Sequence, residues 1–270
     1  MTVPVESFRN LSRSSPWKWQ SLRFEVRWIP ATGQPPATAP EPEPVVEQVQ
    51  EQAAPDESPA DEPVQCWLRR PQALRVERPD GTLLYSTTGI NDSKDSLFIS
   101  GTRKPWLLPA RLVTPVYDDA GLVRRRPEAD YGSPAFGDRR LAAILDPVEI
   151  AGNAPVPLDF PFANLVELSG IAEVEHKGRP ALEAVAEPNA HYRPRSADGP
   201  LLFPGRTLLR IDLATAVCVA STSLDGESRG AGHRLDILGV DEYMLDDLFL
   251  EKDFGLTDVR RHISWDLPAG

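Results

Sequence analysis

Residues 21–29, "SLRFEVRWI", place Leu22, Phe24, Val26 and Trp28 at alternate positions, with Arg23, Glu25 and Arg27 between them. Strict period-two alternation is the mark of a half-buried strand, apolar toward a core and charged toward water. A lone strand is not stable in water, so this one needs a partner. The segment that follows cannot supply it. Residues 30–63 hold nine prolines and eight carboxylates, and no Lys or Arg occurs between Trp28 and Arg69. Each proline removes a backbone donor and the like charges repel, so the stretch is expected to be a disordered, acidic, Pro-rich insert. The partner strand must come from beyond it. Residues 1–29 are therefore expected to join the main domain, 64–270, with 30–63 as a long loop between them.

Beyond the insert, strand signals follow every ten or so residues. "VQCWLRR" (64–70) leads to "ALRVERPDGTLLYSTTG" (73–89), where Pro79, Asp80 and Gly81 supply a tight reversal. "DSLFIS" (95–100) and "RLVTPVY" (111–117) are further short candidates. "IAEVEHKGRPALEAVAEP" (171–188) reads as a hairpin reversing at "HKGR", and "LLRIDLATAVCVASTSLDG" (208–226) as another. "GHRLDILGVDEY" (232–243) gives one more strand, with Leu235, Ile237 and Val240 inward. "FGDRRLAAILDP" (136–147) is the one convincing helix, with Asp138 as its cap, Leu141, Ile144 and Leu145 as its apolar stripe and Pro147 as its stop. "DDLF" (246–249) reads as a single helical turn. The sum is a mainly β (α+β) chain: one large curved antiparallel sheet, an unclosed half-barrel with few short helices.

Charge narrows the functions. The net charge is −11, and the insert carries eight of those charges, so the rest of the chain is close to neutral. No concentrated basic face is present for nucleic acid. The one basic run, "RRRP" (124–127), is read as a solvated turn. Residues 1–19 lack the apolar stretch of a secretory signal and no segment has the length of a membrane span, so the cytoplasm is the expected compartment. In that reducing compartment Cys66 and Cys218, both in apolar runs, are expected to be buried thiols rather than a disulfide. Arg outnumbers Lys 24 to 5, the usage of a GC-rich bacterial genome.

Motifs for chemistry are missing. His176, His191, His233 and His262 stand at least fifteen positions apart with no metal spacing between them. "DGESRGAGH" (225–233) is not a nucleophile elbow, and "GTRKP" (101–105) is not a phosphate loop. The carboxylate pairs Asp118–Asp119 and Asp246–Asp247 are adjacent in sequence and unsuited to share one substrate. No enzyme, metal or cofactor is expected. Trp67, Trp106 and Trp265 are the candidates for lining an apolar pocket.

The series "WLRRPQALRVERPDGTLLY", "VEHKGRPALEAVAEP", "LLRIDLATAVCVASTSLDG" and "ISWDLP" resembles the bacterial lipoprotein-carrier superfamily, the LolA/RseB-like fold, in its soluble actinobacterial members. Residues 212–216 resemble that family's turn before an apolar strand, with Ala216 in place of Gly. The resemblance implies a half-pipe of antiparallel strands whose concave side is plugged by helices and holds acyl chains or a partner. The chain is expected to depart from it in lacking an export signal, a lipobox and the long amphipathic first helix. The function expected is a non-enzymatic binding protein whose concave sheet accommodates an apolar ligand or a partner's hydrophobic segment. The alternative is a structural or regulatory protein–protein interaction module with a self-filled core.

Overall fold

The computed structural model describes residues 3–32, 62–71, 73–88, 110–127, 140–152, 164–194 and 200–250. Most of the acidic insert, "DSLFIS", Asp138, Trp106, Trp265 and "ISWDLP" lie outside these residues. Among the described residues are eleven strands, two α-helices and three 3-10 turns. The strands are β1 (Ser21–Ile29), β2 (Val64–Arg69), β3 (Ala73–Glu77), β4 (Leu83–Thr87), β5 (Val116–Tyr117), β6 (Val123–Arg125), β7 (Val166–His176), β8 (Arg179–Pro188), β9 (Thr207–Asp212), β10 (Cys218–Ser223) and β11 (Gly232–Val240). The helices are α1 (Val5–Lys18) and α2 (Arg140–Leu145).

Nine strands form one antiparallel, unclosed sheet in the order β4-β3-β2-β1-β11-β10-β9-β8-β7, and β5 and β6 form a separate hairpin. The strand stranded ahead of the insert finds its partners far along the chain. β1 pairs with β2 on one side and with β11 on the other. Register then fixes the two faces. Leu22 lies opposite Leu68 and Val240, Phe24 opposite Cys66 and Ile237, Val26 opposite Val64 and Leu235. These residues share the inner face with Leu74, Val76, Leu182, Ala184, Leu209 and Ile211, all in one hydrophobic core. The intervening positions, Arg23, Glu25, Gln65, Trp67 and Arg75, share the outer face.

The hairpin turns obey local chemistry. At 78–82 the Arg78 N–H donates to Thr82 O at 2.9 Å, the Thr82 N–H donates to Asp80 Oδ1 at 2.8 Å, and Gly81 takes a φ of 87°. That left-handed angle suits a residue without a Cβ. The β9–β10 turn manages without glycine. Ala216 has a φ of 58°, held because Asp212 Oδ1 accepts from the Thr215 N–H and hydroxyl at 2.7 and 2.8 Å. Arg179 adds a bond to Asp212 Oδ2 at 2.8 Å.

The main departure from the sequence reading is α1. Residues 5–18 carry no helical apolar stripe, yet they form a fourteen-residue helix whose residues Phe8 to Pro16 are all buried. Phe8 and Leu11 enter the core against the sheet. The rest of the helix is covered by β6, the start of β7 and the 3-10 turns Ala110–Leu112 and Val148–Ala151. A helix buried all round is normally apolar. This one satisfies its polar groups instead. Ser12 and Ser14 donate to the carbonyls of Phe8 and Asn10, and Ser15 donates to Leu145 O at 2.5 Å. Arg9 donates to Ile150 O and Val166 O at 3.2 and 2.7 Å, and Arg13 to Asn10 Oδ1 and Ala151 O, both at 2.7 Å. α2 adds Leu141, Ala143, Ile144 and Leu145 to the same core. The concave side of the sheet is thus packed by the chain itself across the described residues.

Two further expectations are corrected. "RRRP" is not a plain turn: Arg124 and Arg125 are exposed on β6, but Arg126 turns inward to Arg13 O at 2.7 Å and to the Asp146 carboxylate at 2.5 and 2.9 Å. "RLVTPVY" is a 3-10 turn followed by the two-residue β5. No helix among the described residues is long and apolar enough to cross a membrane.

Candidate functional site

The cover over α1 ends before the helix does. Trp17 and Lys18, in its last turn, are only half-buried, and beside them opens a cleft of about 330 Å³ lined by Ser14, Trp17, Lys18, Tyr117, Gly121 and Val123. One wall is the end of α1 and the other is the β5–β6 hairpin. The wall is fixed by bonds rather than by apolar area. The Val123 N–H donates to Ser14 Oγ at 2.9 Å, Asn10 Nδ2 donates to Asp118 Oδ2 at 2.8 Å, and the Trp17 indole N–H donates to Val113 O at 3.0 Å. Asp118 also closes the hairpin turn, accepting from the Ala120 and Leu122 N–H groups at 2.9 and 2.8 Å. The Arg126 guanidinium lies 5.6 Å from the Trp17 ring.

This hairpin and the 3-10 turn Ala110–Leu112 before it present apolar surface to water. Leu112 is 66% exposed, Tyr117 46% and Val116 45%. Arg111, Arg124 and Arg125 are exposed around them. Burial pushes the Lys18 ammonium below the usual lysine range, and the Asp212 charge opposes that shift. The rim is mixed but net positive, since Lys18, Arg111, Arg124 and Arg125 outnumber Asp118 and Asp119 of the hairpin turn. The cleft's volume lies at the low end for a small-molecule pocket and suits a single large side chain. It favours an apolar group with a carboxylate nearby.

A second arrangement has the look of chemistry. Ser221 and His233, on facing residues of β10 and β11, are 2.8 Å apart between Oγ and Nδ1. His233 Nε2 lies 2.8 Å from Cys218 O, and a carbonyl only accepts, so Nε2 carries the proton and the serine hydroxyl donates to Nδ1. Burial pushes the imidazole down to about 4, with the bond to Cys218 opposing and the nearby His176 and Arg140 charges adding. A serine beside a neutral imidazole is the start of a nucleophile and base pair. Here both are buried, and the adjoining slot, between Trp28, Arg140, Leu201 and Phe203, has a volume of about 10 Å³. That holds at most about one water. The pair is a structural bridge: His233 satisfies the Cys218 carbonyl where β10 bulges against β9, and His176 Nε2 donates to Leu235 O at 3.0 Å close by.

Of the three tryptophans expected to line a pocket, Trp67 lies on the outer face. It packs there with Ala73, Met244, Leu248 and Phe249 under the 3-10 turn Asp246–Phe249. Trp106 and Trp265 fall outside the described residues. The tryptophan at the cleft, Trp17, was within reach of the sequence through the aromatic run "PWKW", but its partner Tyr117 lies a hundred residues away. Cys66 and Cys218 are both free and buried, and burial pushes both thiols up, that of Cys218 to about 12. Neither is a nucleophile at neutral pH. Among the described residues no three ligating side chains gather as a metal would need. In comparisons with known proteins, no family model, no curated protein and no solved structure matches the chain.

Proposed function

We propose that this chain is a non-enzymatic protein-interaction module with a self-filled core, and that its site is the cleft between the end of α1 and the β5–β6 hairpin. The partner is a protein segment that offers one large apolar side chain within an acidic stretch. The observation that carries this reading is the cleft itself: half-exposed aromatic walls and a net positive rim, held by hydrogen bonds before any partner arrives. A pre-formed wall avoids much of the ordering cost of association. What favours this over a ligand on the concave sheet is α1, whose Phe8 and Leu11 occupy that side. Kinship with the lipoprotein-carrier superfamily is part of the proposal at the level of fold only, supported by an unclosed antiparallel sheet with a helix along its inner face.

The test is a fluorescence titration with two labelled peptides, a single Leu or Tyr flanked by Asp and Glu, and the same residue flanked by Lys. The acidic peptide should bind, more weakly as salt rises. Tyr117→Ala should weaken it roughly tenfold, about 1.4 kcal/mol, without shifting the melting temperature, and Lys18→Glu should weaken it as well, with some loss of stability because its carboxylate would stand near Asp212. Equal binding of both peptides, or of neither, overturns the reading.

A further inference from the structure

On the other side of the sheet, one residue is exposed beyond any need of the fold. Tyr243 is 90% exposed, yet the chain on both sides of it is tied down. Asp241 Oδ1 accepts from the Gln20 and Ser21 N–H groups at 2.6 and 3.2 Å, and the Ser21 hydroxyl donates to Glu242 O at 2.6 Å. One residue past Tyr243, Met244 is buried against Ala73 and Phe249, and its carbonyl accepts from Arg69 at 2.7 Å. The aromatic ring therefore stands on a fixed strap. Such a side chain loses little freedom on binding, which is what makes tyrosine an effective anchor at interfaces. Its neighbours are acidic and apolar: Asp247 is exposed, Glu242 and Asp246 are exposed but paired with Arg23 and Arg69, and Leu245 is 58% exposed.

The knob and the cleft are complementary. One offers an aromatic side chain where carboxylates outnumber the arginines paired with them; the other offers aromatic walls where Lys18, Arg111, Arg124 and Arg125 outnumber Asp118 and Asp119. α1 lies on the inner face and the strap packs on the outer face beside Trp67 and Ala73, where Asp241 ties it to Gln20, two residues past the end of α1. Within one chain Tyr243 is out in solvent, not in its own cleft. We infer that the occupant of the cleft is a second copy of this chain, inserting Tyr243 between Trp17 and Tyr117 with its acidic flank against Lys18 and the β6 arginines. This rests on the cleft being a binding site. The contact joins two different patches, so it closes into a ring or dimer, or grows as a chain, according to the rotation between copies.

Sedimentation velocity on the full chain over a concentration series, at low and high salt, tests it. Association is expected, weaker at high salt. Tyr243→Ser should raise its dissociation constant roughly thirty-fold, the scale of an aromatic anchor. Lys18→Glu should also weaken it, and Asp247→Lys on the same chain should restore part of the loss. A Tyr243→Ser copy mixed with a Lys18→Glu copy should form one-to-one dimers and nothing larger, because each keeps one working half. Tyr243 is exposed and its change should leave the melting temperature unchanged, while Lys18→Glu, near Asp212, is verified by a cooperative melt above the working temperature. A chain that stays monomeric throughout, or associates equally well with Tyr243→Ser, overturns the inference. If the acidic peptide still binds the cleft of a monomeric chain, this inference alone fails; if neither contact forms, the interaction site falls with it.

Discussion

Arginine occurs on both faces of the sheet and does a different job on each. On the outer face it meets carboxylates at the edge of water: Arg23 with Glu242 at 2.9 Å, Arg210 with Glu183 at 2.6 Å, Arg75 with Glu77 at 2.5 Å. On the inner side, Arg9 and Arg13 meet mainly neutral backbone carbonyls, and the closest carboxylate is Glu6, 3.7 Å from Arg13 and itself exposed. Burial pushes both guanidinium groups below their usual range, Arg13 to about 10. The comparison teaches that Arg9 and Arg13 act mainly by holding loop backbone in place, Arg13 with only a long pair to exposed Glu6, whereas Arg126, also turned inward, is paired with Asp146. The backbone partners of Arg9 cannot be mutated away, because a carbonyl belongs to the chain.

The largest effect that can break this comparison is at Arg9. Arg9→Ala strands the Ile150 and Val166 carbonyls in a buried site, at roughly 1–3 kcal/mol each, so about 4 kcal/mol of unfolding free energy should go. Arg9→Met, which keeps much of the volume, should lose nearly as much, whereas an isosteric apolar replacement of a true buried ion pair is often neutral. Urea unfolding followed by tryptophan fluorescence reads both. A Met variant as stable as the wild type would mean that the helix is held by packing and not by its arginines.

That same chemistry decides what could be read from the sequence. Where burial follows a period of two, the residues declared it. Leu22, Phe24 and Val26 point inward as their alternation requires, and the turn at Gly81 and the β7–β8 reversal at Gly178 fall where the residue types put them. In α2, Leu141, Ile144 and Leu145 are buried as their spacing implies. α1 was illegible for a physical reason. Its buried residues include Arg9, Asn10, Ser12, Arg13, Ser14 and Ser15, and the carbonyls that make Arg9, Arg13 and Ser15 tolerable belong to residues more than a hundred positions away. Missing that helix meant missing the cover of the concave side, and with it the cleft where the cover stops. The Ser221–His233 bridge was hidden likewise, since twelve residues of sequence say nothing until β10 and β11 pair.

His233 sharpens the comparison by asking what a new charge costs on the inner face when nothing is ready to receive it. Its imidazole sits near 4 in the folded chain, against an ordinary value of about 6.5. As pH falls through 6.5 the unfolded chain takes up the proton first, so stability declines between about 6.5 and 4 and levels off below. The full shift corresponds to roughly 3 kcal/mol. Carboxylates also titrate at the lower end, so the measurement is a difference: stability against pH for the wild type and for His233→Gln. The variant starts lower because the ring's bonds are altered, and its profile should be flatter between pH 6.5 and 5. Parallel profiles would mean that the buried imidazole does not govern this region.

The smallest effect belongs to the outer face. Arg23 and Glu242 form a two-pronged pair, Nε to Oε2 at 2.9 Å and Nη2 to Oε1 at 3.0 Å, but both side chains are more than a third exposed. Water and salt screen such a pair, and a double-mutant cycle over Arg23→Ala and Glu242→Ala should return a coupling below about 1 kcal/mol. What the pair does is local. Glu242 precedes Tyr243, and the bonds of Arg23, Ser21 and Asp241 together set where the strap leaves the sheet. Arg23→Ala should therefore leave the urea midpoint almost unchanged while raising amide exchange around residue 243. A coupling as large as the loss at Arg9 would erase the distinction between the faces, since an exposed arginine would then matter as much as one enclosed by carbonyls.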